Sequence, residues 1–300
     1  MKKANILATA ALATLLAACS NDSDVFNTPD YADTPIGLNV NVGSMATRAG
    51  YEQGALTEGS FGLYLTTEGT NSDERYNCTN REVKYDNGWT IQGGQLLWKS
   101  NDATVTYYAY LPYTGIVGDA ASYAFTVQTD QSNESNVKAS DLLWTGQQTA
   151  TPGTALDINF RHALSKLNVT LKKGSELEDG QNLTFTSVKL SNCATTTTVN
   201  LFEGTFGNTT NSQTITLYAA TANKQYECIL VPQTFAQSLK VEITDNNGKV
   251  YTFKSGNELT FSSGKQYTLN LTVGRDKVTT GTISAESWGS EQQGGDLVTE

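Results

Sequence analysis

Apolar residues alternate with polar ones along much of this 300-residue chain, and this period of two is the feature that most restricts its fold. At the clearest place, Ile36, Leu38, Val40 and Val42 alternate with glycines and asparagines. Successive side chains of a β-strand point to opposite faces, so the pattern predicts a strand with one apolar face. No stretch keeps apolar residues at helical spacing over three turns. The chain is therefore predicted to be all-β.

Similar segments recur at short intervals, and turn signals separate them. Asn87-Gly88 and Asn247-Gly248 each lie between two alternating segments, which predicts two hairpins with type I′ turns. The other predicted strands are Phe61 to Leu65, Glu82 to Tyr85, Trp89 to Ile91, Val105 to Leu111, Tyr123 to Val127, Leu156 to Phe160, Leu164 to Leu171, Leu183 to Leu190, Thr214 to Leu217, Tyr226 to Val231, Leu259 to Phe261 and Tyr267 to Val273. Many short strands of this kind predict two Greek-key β-sandwich domains in tandem.

The predicted boundary between the two domains follows a polar segment with glycine and proline, residues 146–153. We expect an amino-terminal sandwich over residues 51–155 and a carboxy-terminal sandwich over residues 156–274. Residues 19–50 are predicted to form a tether with one strand. Residues 275–300 are predicted to be a tail that ends in a Gly-rich, acidic stretch.

The amino terminus has the parts of a bacterial lipoprotein signal. A basic start is followed by an apolar run, Ile6–Ala18, which is too short to span a bilayer comfortably. The run ends in Leu-Ala-Ala-Cys at positions 16–19, the arrangement of a lipobox. We therefore predict a signal peptide over residues 1–18 and lipidation of Cys19, palmitate included, which anchors the protein at the surface of the outer membrane.

The charge of the chain excludes nucleic acid and anionic lipid headgroups as partners. The formal net charge is −10, and removal of residues 1–18 takes away Lys2 and Lys3 but no acidic residue, which gives −12. Binding to polyanions depends on clustered lysines and arginines that displace counterions, whereas an acidic protein repels them.

Three cysteines remain after Cys19. Cys193 could form a disulfide with Cys228 in an oxidising compartment, or both could be buried free thiols, and sequence spacing leaves the two alternatives open. Cys78 is interpreted as a buried free thiol. No CxxC or CxxH spacing indicates a metal site, and we predict neither a metal nor a cofactor.

The sequence offers little for catalysis. His162 is the single histidine, so a Ser-His-Asp triad would have to be built around it, and a structural, hydrogen-bonded role is favoured instead. The motifs GxSxG, HExxH and GxGxxG and the P-loop are absent from the sequence. We predict that the protein is not an enzyme and assign no catalytic residue.

A cluster of tyrosines has two interpretations. Tyr107, Tyr108, Tyr110 and Tyr113 could form a platform on which sugars stack. Alternation along a strand sends Tyr108 and Tyr110 to one face and Tyr107 to the other, so the cluster is more simply explained as core.

Several motifs together suggest a family. They are the lipobox, the alternating strand before Thr47–Gly50, Tyr107–Tyr113, Asp141–Trp144, Phe160–Leu167, Gly264–Tyr267 and the stretch from Ile283 to Trp288. In this order they resemble the fimbrillin family of type V pili, and the similarity runs from Cys19 to Trp288.

The resemblance implies two transthyretin-like sandwiches, cleavage by an arginine-specific protease and polymerisation by strand exchange. Carried onto this chain, cleavage falls between Arg48 and Ala49 and releases the tether together with one strand. The apolar residues of this removable strand are Ile36, Leu38, Val40 and Val42. A sandwich without that strand exposes a groove that an extended segment of a neighbour can fill. Residues 275–300 are the possible donor segment, although positions 278–283 are only weakly apolar.

These features predict a structural and adhesive subunit of a cell-surface fimbria. Its expected partners are other fimbrial subunits and a ligand on a host or bacterial surface. The alternative from another class is a surface lipoprotein that binds glycans as a monomer. An enzyme ranks third.

Overall fold

The strands of the computed structural model follow the alternation of the sequence. The structure describes residues 29–43, 51, 54–69, 72–115, 118–178, 183–236, 239–275 and 277–288. The elements of the first half are β1 Leu38–Val42, β2 Gly54–Ala55, β3 Ser60–Thr67, β4 Cys78–Tyr85, β5 Trp89–Ile91, β6 Val105–Leu111, β7 Tyr123–Thr126, α1 Glu134–Ser140, β8 Leu143–Trp144, β9 Gln148–Ala150 and β10 Leu156–His162. The elements of the second half are β11 Ser165–Lys173, α2 Ser175–Glu178, β12 Phe185–Asn200, β13 Thr205–Phe206, β14 Thr210–Thr216, β15 Tyr218–Thr221, β16 Gln225–Leu230, β17 Gln233–Phe235, β18 Lys240–Asp245, β19 Val250–Lys254, β20 Leu259–Phe261, β21 Lys265–Val273 and β22 Val278–Ser287.

The prediction of an all-β chain is confirmed, since α1 and α2 are the α-helices of the described residues and both are short. These elements lie in one compact unit, Tyr31–Glu300. The unit contains two hydrophobic core clusters. The predicted domain boundary near residue 155 stays a prediction.

The first core lies within one nine-stranded sheet, whose strands run in the order β2-β1-β10-β8-β6-β3-β4-β5, with β9 added on β6. Phe61 on β3 and Phe160 on β10 meet edge to face, with ring centroids 5.4 Å apart. Because these strands are separated by two others in the sheet, this contact means that the sheet folds over its own apolar face. Apolar residues at alternate positions of β10 are fully buried there.

The second core lies between a five-stranded sheet, β15-β16-β11-β21-β22, and a six-stranded sheet built on β12. Leu167, Val169 and Leu171 of β11 alternate into this core. One strand of the first half, β7, pairs with β12 rather than with the nine-stranded sheet. Each half also contains one parallel pair that joins strands distant in the chain, β1 with β10 and β11 with β21.

The tyrosines of β6 are core residues on both faces of the strand. Tyr107 is buried in the first core, whereas Tyr108 and Tyr110 face the second, which confirms the predicted alternation. Tyr64 stacks on Tyr108 with a centroid distance of 4.5 Å, and burial raises the pKa of Tyr64 to about 12. The stacked pair therefore fills space between the two halves.

Both Asn-Gly hairpins are present, but their turns differ from the predicted type I′. In the first, Tyr85 pairs with Trp89, so the loop holds three residues instead of two. In the second, Gly248 has a φ of 81° but Asn247 has no positive φ, which a type I′ turn requires. Asp245 explains this turn, because its Oδ1 accepts the N–H groups of Asn247 and Lys249.

Candidate functional site at the two terminal strands

Three of the predicted site residues lie outside the described residues. They are Cys19, Arg48 and Ala49. Lipidation and proteolytic processing therefore stay predictions. The structure describes Gly43 and then Tyr51, with no description of the seven residues between them.

The predicted removable strand is β1, and it lies one place from the edge of the nine-stranded sheet. It pairs in parallel with β10 over its whole length. On its outer side the two-residue strand β2 covers only its last two residues. One further hydrogen bond, from the Leu56 N–H to the Val40 carbonyl, has a length of 3.4 Å. The outer side of β1 is thus held by far fewer hydrogen bonds than its inner side.

The apolar face of β1 is anchored in the first core. Val40 and Val42 are 7% and 1% exposed, and Ile36, just before the strand, is 2% exposed. Leu38 is half-buried against the same core. The Ile36 N–H also donates to the Leu96 carbonyl at 2.9 Å. Full burial of one such side chain stabilises the fold by about 1.5–3 kcal/mol, so the groove behind β1 is a strong apolar binding surface.

The carboxy-terminal segment, predicted to be a tail and possible donor segment, contains a strand. β22 has ten residues and pairs antiparallel with β21, and it is the last strand of the five-stranded sheet. Its apolar residues Val278, Ile283 and Ala285 are only partly buried against the second core. β22 is therefore held mainly by backbone pairing, with a shallow apolar face.

Trp288 follows β22 and is buried deeply. Its side chain is in the second core, and the residue is 6% exposed. The indole stacks on the ring of His162, with a centroid distance of 3.9 Å and an angle of 7° between the planes. The backbone N–H of Trp288 donates to the Gly264 carbonyl at 2.7 Å. Trp288 itself is thus held by one ring contact and one backbone hydrogen bond.

His162 is held by a buried carboxylate. Its Nδ1 lies 2.9 Å from Asp141 Oδ1, and both side chains are fully buried. The other carboxylate oxygen, Asp141 Oδ2, accepts the Tyr51 N–H at 3.2 Å. His162 Nε2 has no hydrogen-bond partner among the described residues, so no nucleophile of this part of the chain stands where a Ser-His-Asp triad needs one.

A buried ion pair on another part of the fold was not predicted from the sequence. Lys166 Nζ lies 2.8 Å from Glu227 Oε2, and both side chains are buried. Burial lowers the pKa of Lys166, although the nearby Glu227 acts in the opposite direction. The pair joins adjacent strands, β11 and β16, and a signal for it in the sequence would have been a lysine inside an apolar strand.

The three described cysteines are buried free thiols. For Cys193 and Cys228 this is the second of the two alternatives left open by the sequence. Burial raises the pKa of Cys78 to about 12 and also raises those of Cys193 and Cys228. Thiols in such surroundings react slowly while the fold is closed.

The described residues contain no group of three or more His, Cys, Asp or Glu side chains that could hold a metal ion. In the same part of the chain, no helix has the length and hydropathy to cross a membrane.

Comparisons with known proteins identify relatives of this chain in sequence and in fold. A candidate fimbrium subunit of Bacteroides uniformis, Fim1C, is 25% identical over 306 residues, which cover 99% of this chain and 98% of that protein. A crystal structure of a candidate cell adhesion protein from Bacteroides uniformis aligns with a TM-score of 0.63 and 21% identity over 85% of this chain and 100% of that one. One from Bacteroides ovatus aligns with a TM-score of 0.65 and 18% identity over 87% and 100%.

These structures share the fold of the chain. A family model described as fimbrillin-like matches residues 47–288, which is most of the sequence. The resemblance found in the motifs is thereby confirmed, and the chain belongs to the fimbrillin-like family.

Proposed function

We propose that the chain is a structural and adhesive subunit of a cell-surface fimbria that is exported as a lipoprotein through Cys19. In this proposal, cleavage between Arg48 and Ala49 frees β1, and strand exchange then joins one subunit to the next. Membership of the fimbrillin-like family supports the role as a fimbrial subunit. The observation that carries the mechanism is the position of β1, which is deeply buried on one face and only partly covered at its outer edge.

Cleavage would change how β1 is held. In the uncut chain, β1 is tethered to the rest of its own sheet by the segment that contains Arg48. After the cut, it is held by the ladder to β10 and by its apolar side chains, and a segment of another subunit can compete for both. Exchange conserves the ladder hydrogen bonds, so the gain has to come from extra apolar burial, about 25 cal/mol for each Å².

The strand offered by the neighbouring subunit is β22 in this proposal. It is already extended, it lies at the end of a sheet, and its own apolar face is only partly buried. A strand that buries more apolar surface after transfer to a deeper groove is stabilised by the transfer. β22 is long enough for this, since it has ten residues against the five of β1.

The test is the variant Arg48→Ala in cells. We expect a full-length monomer in the membrane fraction, whereas wild type gives shortened subunits in oligomers that resist mild denaturant. Arg275→Ala is the matched control, because Arg275 is exposed and lies near the other chain end, beside β22. If wild type stays uncut at Arg48, or if the cut protein stays monomeric at high concentration with β1 bound, strand exchange is wrong.

The second candidate function is glycan binding by a monomeric surface lipoprotein. One observation favours it, a polar cleft of about 660 Å³ beside β4, lined by Asn77, Arg81, Gln92 and Tyr113 among others. Planar hydrogen-bonding groups beside an aromatic ring suit sugar recognition. If the wild-type protein is monomeric in the Arg48 experiment, glycan binding becomes the favoured function over fimbrial assembly.

A further inference from the structure

The Asp141–His162 pair contacts residues from two distant parts of the chain. On one side, the Asp141 carboxylate accepts the backbone N–H of Tyr51 at 3.2 Å, and Tyr51 comes shortly after the proposed cleavage site. On the other side, the ring of His162 stacks on Trp288 at 3.9 Å, and Trp288 comes directly after β22. One buried side-chain pair thus touches a residue near the start of the proposed mature subunit and the last residue that the structure describes.

The carboxylate determines how the histidine ring is presented. Its hydrogen bond to Nδ1 fixes the orientation of the ring, so the flat face is turned toward the indole of Trp288. A buried carboxylate is stable only while donors satisfy its oxygens, and Tyr51 supplies one of those donors. Displacement of Tyr51 would therefore loosen Asp141 and, through it, the ring on which Trp288 rests.

The chain that follows β1 is hydrogen-bonded to β10 two residues before the same histidine. His162 is the last residue of β10, the strand that pairs with β1. The Gly43 N–H donates to the Phe160 carbonyl at 2.9 Å, two residues before His162. Loss of β1 would leave this end of β10 with fewer restraints.

Trp288 contributes most of the apolar anchoring in its segment. The apolar residues of β22 with described side chains are partly buried, whereas Trp288 is buried in the second core. Removal of a buried tryptophan side chain therefore destabilises its segment more than removal of a half-buried isoleucine or alanine.

We propose that Trp288 is a latch that keeps β22 on its own sheet and that the Asp141–His162 pair couples this latch to β1 and Tyr51. Loss of β1 then loosens β22 and makes it available to a second copy of the chain. The role of β22 as the strand given to that copy rests on the proposed function. The coupling itself is a property of the single subunit.

Coupling between two sites is reciprocal, so it can be measured in the uncut monomer without cleavage or polymerisation. Amide hydrogen exchange read by mass spectrometry follows the opening of β1 and β22 separately. We expect Trp288→Ala to raise exchange in β22 and also in β1 by at least about fivefold, the lower end of typical allosteric couplings. Trp288→Phe, which keeps a ring to stack on His162, should restore most of the protection.

Two further variants separate the latch from simple packing. Ile283→Ala, the matched control on β22, should raise exchange in β22 and leave β1 unchanged. In an Asp141→Asn background, Trp288→Ala should no longer affect β1, because the orientation of the His162 ring, which links Trp288 to this end of β10, is already lost. If Trp288→Ala does not fold, Trp288→Leu replaces it, since leucine fills the site without a ring that stacks.

Exchange that rises in β22 alone after Trp288→Ala would overturn the coupling, and exchange that rises in neither strand would overturn the latch. Failure of the Arg48 experiment would leave these monomer results unaffected. Oligomers that form normally from subunits without the coupling would support the proposed function and refute this inference.

Discussion

β1 and β22 are the two terminal strands of the described chain, and they are held in opposite ways. β1 has five residues, and two of its three apolar side chains, Val40 and Val42, are almost completely buried in the first core. β22 has twice that length, but its apolar side chains are only partly buried against the second core. The shorter strand is therefore the more deeply anchored of the two.

The comparison teaches that ladder length is a poor guide to how firmly a strand is held. A strand that leaves a sheet exchanges its hydrogen bonds for bonds to water, so each contributes a net of only about 0.5–1.5 kcal/mol. Apolar side chains that leave the core, in contrast, gain no comparable interaction with water. A strand like β22 can leave at a moderate cost, whereas the groove of β1 gains much from being filled.

The largest expected effect comes from one buried charge placed on each strand in turn. Val42→Asp would bury an unpaired carboxylate in the first core and should lower the free energy of unfolding by about 3–5 kcal/mol. Ile283→Asp on β22 should cost about 1 kcal/mol, because the half-buried side chain can reach water. Urea titrations of both variants measure these losses. Equal losses would mean that β22 is anchored as deeply as β1.

Cysteine labelling should separate the two strands with an intermediate effect. Cys78 lies in the first core with β1, whereas Cys193 and Cys228 lie in the second core with β22. Burial raises the pKa of all three thiols, so labelling at neutral pH has to wait for the core to open.

Val40→Ala should speed labelling of Cys78 about tenfold, which corresponds to ~1.4 kcal/mol, and leave the cysteines of the second core unchanged. Peptide mapping by mass spectrometry identifies the labelled thiol. Ile283→Ala is the counterpart, and we expect it to spare Cys78. Parallel acceleration of all three thiols would show that the two cores open as one unit.

The smallest expected effect comes from the solvent-exposed face of β1, opposite its buried apolar face. Asn39 Nδ2 donates to Asp157 Oδ1 at 2.9 Å, and both side chains are exposed. Asn39→Ala should change the free energy of unfolding by less than about 0.5 kcal/mol, as is usual for exposed positions. The same urea titration checks it. A larger loss would mean that polar contacts, and not the buried face, hold β1 in place.

The sequence predicted well those elements whose own residues carry an alternating pattern. The strands Trp89–Ile91, Val105–Leu111 and Leu259–Phe261 have the predicted bounds. α1 was missed because it has seven residues, too few for a helical period, and its start depends on a cap in which the Asn133 side chain accepts the Asn136 N–H. β22 was expected to be part of a tail because an edge strand can be held by its backbone ladder with little apolar pattern.

The contacts of the candidate site could not be predicted in the same way. His162 and Trp288 both belong to motifs that carried the family resemblance, but their stacking joins distant parts of the chain. The same holds for Lys166 and Glu227, whose pairing depends on the register of β11 against β16. Sequence periodicity gives the face of a residue and says nothing about which distant residue it meets.

The parallel pairing of β1 with β10 has a consequence for the order of folding. Parallel strands cannot be joined by a tight turn, and the pair Asn39 and Asp157 is separated by 118 positions in the chain. Closing a loop of that length has an entropic cost that must be met before the contact forms, and folds dominated by distant pairings form slowly. β1 emerges early in synthesis, yet its partner strand emerges more than a hundred residues later. β1, the first strand of the described residues to be synthesised, is thus expected to be among the last to pair with its partner.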